Sequence, residues 1–342
     1  AAGFQAPFAG IVFAHEAVLR HFSFRAIAPI AIASITSAWL SNKLFGGQAI
    51  FQIDVVLPDL LPLVPTLLAS GLFFGLVAIL FMRLLFAGGK LAVKTGLAPL
   101  PLGLLAAVIC GAVAMFVPEV LGLGVGTVNE ILNDGYVIGF LIALLILKLL
   151  VTSLSIGFGL FGGIFSPALF IGAAAGGFVA KIIAILGVVN APQLLTVAGM
   201  ASVSAAVIGA PISVVLIVLE LTMSYEFSVA AMLSVVVATL LSSLVYGHSF
   251  FDEQLVRRDI DLSQGRGNLE LMHQSITTVV SNDYVVLSSR LKVKTAIKKL
   301  AEANVSEGYC LSKGEGFLGK CSLQKLLLAH YGDELGMHLI TN

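Results

Sequence analysis

The segment from Gly157 to Gly177 contains residue types that can bind an anion without a basic side chain. It reads GFGLFGGIFSPALFIGAAAGG. Ser166 followed by Pro167 predicts a helix start, because serine can cap a helix and proline is favoured at its first position. Gly162 and Gly163, just before it, allow a tight turn and a close approach of the backbone to a ligand. The unpaired N–H groups and positive dipole end of such a helix favour a bound anion.

Two other interpretations of this segment have to be weighed. Small residues also let helices approach closely, so the segment is equally compatible with a packing motif. Gly157, Gly159 and Gly162 match the spacing of the dinucleotide-binding G-x-G-x-x-G motif. No acidic residue follows before Glu220 and no βαβ unit surrounds the glycines, so this second interpretation is rejected.

No metal site is predicted. His15 and Glu16 begin like the zinc motif H-E-x-x-H, but Leu19 stands where the second histidine would be. The three cysteines have no metal-ligand spacing and are interpreted as unpaired, half-buried thiols: Cys110, Cys310 and Cys321.

The elements that must position these residues belong to a very apolar chain. Of its 342 residues 58% are hydrophobic and 11% are charged, and its mean hydropathy is +1.03. Soluble proteins have about 25% charged residues. The uncharged runs 60–82, 95–118 and 227–247 each exceed the length of about 20 residues that crosses a bilayer as a helix. They do not alternate with the period of two that barrel strands need. The sequence therefore predicts an α-helical membrane domain.

Nine helices are predicted, and several are too short to cross a bilayer upright. Their ranges are 5–18, 26–45, 66–88, 98–117, 137–156, 166–184, 192–206, 211–223 and 227–246. Proline and glycine separate them, and broken helices are tolerated in a membrane only where they pack in protein or line a cavity. This pattern is typical of a transporter or channel. Lys148 and Lys181 lie in long apolar stretches near predicted helix ends, so both are expected to extend their ammonium groups towards water.

An internal repeat supports the same class. Residues 1–16 and 205–220 are identical at five positions with a constant offset of 204: Ala1/Ala205, Ala2/Ala206, Ala6/Ala210, Pro7/Pro211 and Glu16/Glu220. Weak inverted repeats are characteristic of secondary transporters. Membrane sequence from about residue 66 precedes the second copy, whereas the first copy starts the chain. We therefore expect 1–65 to be the end of repeat one, 66–260 to be repeat two, and the upstream part of repeat one to be absent from this chain.

The tail from about residue 270 is polar and has mixed secondary structure. SITTVV and YVVL alternate as strands do, and KVKTAIKKLAEA has the period of an amphipathic helix. Two short strands around a Gly-Glu-Gly turn and a second helix follow. Arg257 and Arg258 lie just after the last apolar run and fit the positive-inside tendency. The sequence predicts a small cytosolic α/β module.

These motifs together resemble one family. GGIFSP is similar to the G-x-F-x-P signature of the CLC chloride channels and transporters. Both Ala-Pro segments resemble the paired helices near the dimer interface of that family, and GHSFFDEQLVRR resembles its last membrane helix. The tail at 270–342 is similar to the first motif of a CBS pair and looks incomplete. The resemblance implies an all-α polytopic membrane domain at 1–260, with inverted-repeat, broken-helix architecture, followed by a small α/β CBS-like domain.

The resemblance also implies roles for single residues. The backbone N–H groups of Ile164 and Phe165 would bind the anion. The residues that shape the turn around it would be Gly162, Gly163, Ser166 and Pro167. Phe251 aligns with the central tyrosine of the family, so it keeps the ring and lacks the hydroxyl donor.

Other family features do not occur in this chain. The G-S-G-I-P segment with the central serine and the G-(K/R)-E-G-P segment with the gating glutamate are both missing. Glu16 matches a conserved glutamate, and Ala17 stands where antiporters carry an internal proton glutamate. Both positions are proton-path candidates. Because a methyl group cannot relay a proton, we expect weak or absent proton coupling, or coupling through water without a fixed internal acid.

The sequence thus predicts transport of chloride or a similar small anion in a multi-pass membrane protein, with one pathway per subunit of a homodimer. The apolar residues expected at the dimer interface are Ile11, Val12, Val215, Leu216 and Leu219. The sequence does not distinguish a voltage-gated channel from an antiporter. No cofactor is expected beyond the transported chloride, although the CBS-like module could take a nucleotide. The membrane domain is expected to contact membrane lipid. The equal numbers of basic and acidic residues, 19 each, argue against a nucleic-acid partner.

Two other functional classes stay open. An intramembrane enzyme would need a nucleophile–base pair or a metal constellation at membrane depth, and the sequence offers neither. A regulatory membrane protein with a nucleotide-sensing tail would need its membrane part only as an anchor. The interrupted helices and GGIFSP argue against that second class, since an anchor has no use for them.

Overall fold

A computed structural model describes residues 1–46, 51, 60–187, 191–258, 284–312 and 316–331. The chain divides into two compact units, Ala1–Ile260 and Asp261–Asn342. Each unit has its own apolar core.

Within its described residues, the regular secondary structure of unit one is entirely helical. Its α-helices are α1 (Pro7–Phe13), α2 (Phe24–Phe45), α3 (Val64–Thr95), α4 (Pro99–Phe116), α5 (Val125–Leu132), α6 (Ile138–Gly157), α7 (Phe165–Ile185), α8 (Pro192–Ile208), α9 (Pro211–Thr222), α10 (Tyr225–Val245) and α11 (Phe250–Val256). Residues Ala14–Leu19 continue α1 as a π-helix. Within the described ranges, six helical segments are long and apolar enough to cross a membrane, and three further apolar helices are shorter. The prediction of an all-α, broken-helix membrane domain is confirmed.

The nine predicted helices are all present, and their starts follow simple rules. Proline occupies the first turn of α1, α3, α4, α8 and α9, where a missing N–H costs no hydrogen bond. The prediction ended α3 too early, at residue 88. Gly88 lies inside the helix and packs against the α6 backbone, where a Cβ would overlap the carbonyl oxygen of Ser153. The helix ends at Gly96, which has a left-handed φ of 63°.

Helix α8 forms the centre of unit one. All of its residues from Leu194 to Ile208 are buried, and it packs on α3, α7 and α10. The α7–α8 pair is in backbone contact: a Cβ on Gly176 would come within 2.6 Å of Thr196 Cα, and one on Gly172 within 2.7 Å of Met200 Cα. This tight pair is the framework on which the start of α7 is held.

Unit two is a small α/β structure. Strands β1 (Val285–Ser288), β2 (Glu307–Ser312) and β3 (Gly316–Ser322) form a sheet in that order, with β1 parallel to β2 and β2 antiparallel to β3. Helices α12 (Val293–Glu302) and α13 (Leu323–Tyr331) complete it. The predicted strand at YVVL and both predicted tail helices are confirmed, whereas SITTVV lies outside the described residues. That this unit is a CBS domain stays a prediction.

Candidate functional site

The site begins at the N-terminus of α7. The helix starts at Phe165, Ile164 is its N-cap residue, and no side chain caps it. The first bond of the helix runs from the N–H of Ala168 to the carbonyl of Ile164, at 3.0 Å. Within the described part of the chain, the N–H groups of Ile164 and Phe165 have no acceptor, as expected for the first turn of a helix.

The predicted start at Ser166 and Pro167 was wrong by one to two residues. Ser166 makes no capping hydrogen bond, and Pro167 is the third helical residue. Proline is tolerated there because the N–H of that position would have no partner inside the helix. The Ser-Pro pair therefore predicted the helix start to within two residues. In the structure the N-cap is Ile164, with φ of −94° and ψ of −23°.

The glycines before α7 leave its N-terminus open. The left-handed conformation occurs at Gly159, with φ of 88°, and at neither Gly162 nor Gly163. A Cβ at Gly162 or Gly163 would meet nothing within 4 Å in the described chain. The tight turn thus follows α6 directly, and the Gly-Gly pair keeps the approach to α7 free of side chains.

A cavity of about 370 Å³ adjoins this approach. Gly162, Gly163, Ser166 and Pro167 form one wall, and α4, α6 and the loop 120–123 form the others. Ser155 of α6 faces Cys110 of α4 there, with 3.0 Å between Oγ and Sγ. Ile164 and Phe165 do not line the cavity itself.

Lys148 is the charged residue of the cavity wall, and its predicted position at a helix end was wrong. It lies in the middle of α6 and is 3% exposed. Its ammonium group donates to the carbonyls of Val120 at 2.7 Å and Gly122 at 3.0 Å, and lies 4.6 Å from the ring centre of Phe170 on α7. The loop 120–122 offers these acceptors inside the protein, so the side chain does not extend to water.

The second lysine follows the prediction. Lys181 lies in the last turns of α7 and pairs with Asp134 at 2.8 Å. Among the described residues no carboxylate pairs with Lys148. Lys148 thus places an ammonium group in the cavity wall that Ser166 and Pro167 also line, where the sequence interpretation expected it to extend towards water. Its position inside an uncharged stretch of α6 was the signal that could have revealed it.

The two Ala-Pro segments lie against the start of α7. Phe4 contacts Phe165 edge to face, with 5.1 Å between ring centres. Ala6, Ala9 and Ile217 form a small apolar cluster against which Phe165 packs. Helices α1 and α9 therefore fix one side of the candidate site.

Each of these segments caps the other. The carboxylate of Glu16 accepts hydrogen bonds from the N–H groups of Ile212 at 3.1 Å and Ser213 at 2.7 Å, and from the Ser213 hydroxyl at 2.6 Å. The carboxylate of Glu220 accepts from the N–H groups of Phe8 at 2.9 Å and Ala9 at 2.8 Å. A carboxylate at a helix N-terminus satisfies unpaired N–H groups and complements the helix dipole.

Glu16, the proton-path candidate, is thus held by three hydrogen bonds, and the neighbouring Ala17 is half-buried. The structure gives Glu16 a role in helix capping that the sequence interpretation did not foresee. Its part in proton movement stays a prediction.

Phe251 lies in the first turn of α11 and is 37% exposed. Ser249 and Asp252 form a reciprocal capping box that fixes this turn, and Asp252 also pairs with Arg20. The ring of Phe251 contacts that of Phe250 edge to face, 5.7 Å away. Among the described residues no ring contact joins Phe251 to Phe165. The spacing Ser-x-x-Asp is a readable capping signal that the sequence interpretation did not use.

The residues predicted at a dimer interface lie on α1 and α9, which pack on each other. They are half-buried or exposed in this chain: Ile11, Val12, Val215, Leu216 and Leu219. The exposed face continues with Phe8 and Ile212, which are 65% and 55% exposed. The two short helices thus present a contiguous apolar surface.

Comparison with known proteins now places the chain. The H(+)/Cl(−) exchange transporter ClcA of Vibrio cholerae is 30% identical over 269 residues, which are 75% of this chain and 57% of that protein. The chloride channel protein CLC-f of Arabidopsis thaliana is 34% identical over 248 residues, which are 66% of this chain and 32% of that protein. The match therefore covers little more than half of ClcA and about a third of CLC-f.

Solved structures show the same fold. A slow cyanobacterial Cl−/H+ antiporter superposes with a TM-score of 0.67 at 23% identity and covers 75% of this chain and 61% of that one. A CLC-type fluoride/proton antiporter gives 0.60 at 22% identity and covers 72% and 60%. The family model described as "Voltage gated chloride channel" matches residues 1–243. The helices described above make the chain a multi-pass integral membrane protein, and it belongs to the voltage-gated chloride channel family.

Proposed function

We propose that this protein carries chloride or a similar small anion across a membrane, and that the N-terminus of α7 is part of its pathway. The observation that supports this most directly is the pair of N–H groups at Ile164 and Phe165, which have no acceptor in the described chain. Gly162 and Gly163 leave the approach to them open. Backbone N–H groups at a helix start stabilise an anion without a counter-cation that would trap it.

The charge of Lys148 also favours an anion at this site. The ammonium group of Lys148 lies near the start of α7 through its contact with the Phe170 ring. In surroundings of low polarity a positive charge acts over a longer range than in water. We infer that Lys148 attracts anions to this region, while its two carbonyl partners keep it from closing on a bound anion.

Proton coupling is proposed to be weak or absent, or to run through water without a fixed internal acid. Ala17 has no titratable group, and Phe251 has no hydroxyl that could donate a hydrogen bond to a dehydrated anion. Glu16 already accepts three hydrogen bonds. An antiporter of the usual type would need a carboxylate where protons enter from the cytosol. Nucleotide binding at the tail is a separate prediction, and the transport proposal does not require it.

The test is flux from proteoliposomes that contain the full chain. Chloride is expected to leave under an imposed gradient when valinomycin carries the balancing potassium, with little movement of protons in the same recording. Repeating the measurement with fluoride and nitrate defines the anion. Flux no greater than that from empty liposomes would refute the proposal. A fixed proton-to-chloride ratio that Glu16→Gln abolishes would refute its coupling part, whereas a fixed ratio that survives this change would show coupling through water.

The site itself is tested by removing one backbone donor. Replacing residue 165 by phenyllactic acid converts its amide to an ester, which deletes the N–H and keeps the ring. A hydrogen bond to a charged group contributes about 1.5–3 kcal/mol, so chloride affinity measured by calorimetry should fall by roughly ten- to a hundredfold. The matched control is the ester at Ala168, whose N–H donates to Ile164 within the helix. Equal losses in the two variants would show that the helix, and not the site, was damaged.

We further propose a homodimer that buries the α1–α9 surface. Leu219→Arg is expected to yield monomers in detergent, because a buried unpaired charge is strongly unfavourable at an interface. Leu240→Arg on the exposed face of α10 carries the same change outside this surface and should keep the dimer size. Light scattering coupled to size-exclusion chromatography measures the molar mass of both variants. A dimer that persists in the Leu219 variant would contradict the assignment.

A further inference from the structure

A second cavity lies on the outer side of the α3–α6 pair, away from the start of α7. It has a volume of about 460 Å³ and mostly apolar walls. Its lining residues are Leu84, Ala87, Gly88, Lys90, Leu91 and Lys94 of α3, and Leu150, Ser153 and Leu154 of α6. We refer to it as the α3–α6 groove.

Backbone contact between the two helices creates the groove. A Cβ on Gly88 would overlap the carbonyl of Ser153, and one on Gly157 would come within 2.7 Å of Gly88 Cα. Leucines of both helices line the groove beside this point of close approach. Leu91 and Leu150 are each 50% exposed, so the groove opens outwards.

The groove has a basic rim. Lys90 and Lys94 are one helical turn apart and exposed, and neither pairs with a carboxylate in the described chain. Helices α3, α4 and α6 contain no aspartate or glutamate at all. The groove therefore joins an apolar channel to two uncompensated cations.

The same end of the unit carries more positive charge. Arg83 lies on the helical stripe of Lys90 and Lys94, at spacings of seven and eleven residues. The guanidinium of Arg257 lies 4.1 Å from the ring centre of Phe86 on α3, which puts the end of α11 beside this part of α3. Basic residues concentrate on the cytosolic side of membrane proteins, where anionic lipids are also concentrated.

The length of α3 places the lysines at headgroup depth. At about 1.5 Å per residue, Lys90 lies roughly 39 Å and Lys94 roughly 45 Å from Val64 along the helix. The hydrocarbon core is only about 30 Å thick. On the same scale Leu84 lies roughly 30 Å from Val64, so the groove meets the boundary of the hydrocarbon core at Leu84.

A buried polar atom lies inside the groove wall. Ser153 is 4% exposed, and its hydroxyl is buried and has no hydrogen-bond partner in the described chain. An unpaired buried hydroxyl is unfavourable unless something bonds to it. The ester carbonyl of a phospholipid is an acceptor of the right type, close to where its acyl chain begins.

We propose that the α3–α6 groove binds one anionic phospholipid, with an acyl chain between the leucines of α3 and α6 and the phosphate between Lys90 and Lys94. A zwitterionic lipid brings its own cation to the rim and fits the charge less well. The proposal does not depend on the transport function, because lipid retention is measured without any flux.

Native mass spectrometry of the full chain, released from detergent with phosphatidylglycerol or phosphatidylcholine added, tests this directly. Phosphatidylglycerol is expected to stay bound and phosphatidylcholine to be lost. Lys90→Gln combined with Lys94→Gln should weaken retention of phosphatidylglycerol by roughly ten- to thirtyfold, from about 1 kcal/mol per basic residue. Arg25→Gln with Lys43→Gln removes the same charge from exposed positions of α2 and should leave retention unchanged.

A third variant separates the groove from surface charge. Ala87→Phe fills the apolar channel while both lysines remain, and it should also lose the lipid. Soluble glycerophosphoglycerol should not compete. Equal retention of the two lipids, retention by the Phe variant, or competition by the soluble headgroup would each overturn the proposal. A lipid-free dimer beside a lipid-bound monomer would assign the groove to a second copy of the chain and overturn it as well.

Discussion

Alanine at Gly176 is expected to destabilise unit one by about 3 kcal/mol, a large fraction of the roughly 5–15 kcal/mol that separates folded from unfolded protein. The added Cβ would overlap the carbonyl oxygen of Leu195 and come within 2.6 Å of Thr196 Cα. Both obstacles are backbone atoms of the fully buried helix α8, so no side chain can move aside to relieve the overlap. The helices would have to separate along the contact that supports the start of α7.

Fluorescence-detected size-exclusion chromatography after a temperature ramp measures this loss as a fall in the apparent melting temperature. Gly111→Ala is the matched control: this residue is on the exposed part of α4, and its Cβ would meet nothing within 4 Å in the described chain. That substitution should be neutral or mildly stabilising, because alanine favours helix over glycine. Equal melting temperatures for the two variants would refute the close-contact argument.

The second large effect is expected at the reciprocal caps. Glu16→Gln should lower stability by about 2–3 kcal/mol, since it replaces a charged acceptor of three hydrogen bonds with an amide whose NH₂ group faces other donors. Glu220→Gln should cost less, because that carboxylate accepts two hydrogen bonds, one of them at an exposed site. Thermal melting of the purified variants ranks them.

Two comparisons sharpen this second test. Glu130→Gln removes a carboxylate at an exposed position and should melt like the unchanged protein. The double variant at Glu16 and Glu220 should lose less than the sum of the single losses, because both carboxylates hold the same α1–α9 pair. A Glu16 variant that melts normally would show that water replaces the carboxylate without cost, and would contradict the capping role.

The sequence by itself determined the class of fold. Uncharged apolar runs of about 20 residues have few alternatives to membrane helices, because every backbone polar group must be satisfied within its own segment. Proline and glycine marked most helix starts for a local reason, namely the missing N–H of proline and the conformational freedom of glycine. The position of the α7 start was therefore readable to within two residues.

The repeat was visible in the sequence, and its physical purpose was not. The identities at Pro7/Pro211 and Glu16/Glu220 are found by aligning the two segments of the sequence. Only the tertiary structure places each glutamate at the start of the other copy's helix, more than 190 residues away along the chain. No local sequence pattern predicts this pairing. Almost every residue type has a backbone N–H group, so the sequence does not mark which N–H groups a distant carboxylate will contact.

Lys148 shows most clearly the difference between what local sequence predicts and what tertiary packing decides. Local sequence could say only that a lysine interrupts an apolar run, and the usual outcome near a helix end is a side chain that reaches water. The fold brought the carbonyls of Val120 and Gly122 and the ring of Phe170 to its ammonium group instead. Desolvation of a charge is tolerated only where such partners converge, and their convergence depends on how three separate segments pack, namely the loop 120–122, α6 and α7. Helix content followed from local chemistry, whereas the electrostatics of the candidate site were decided by tertiary packing.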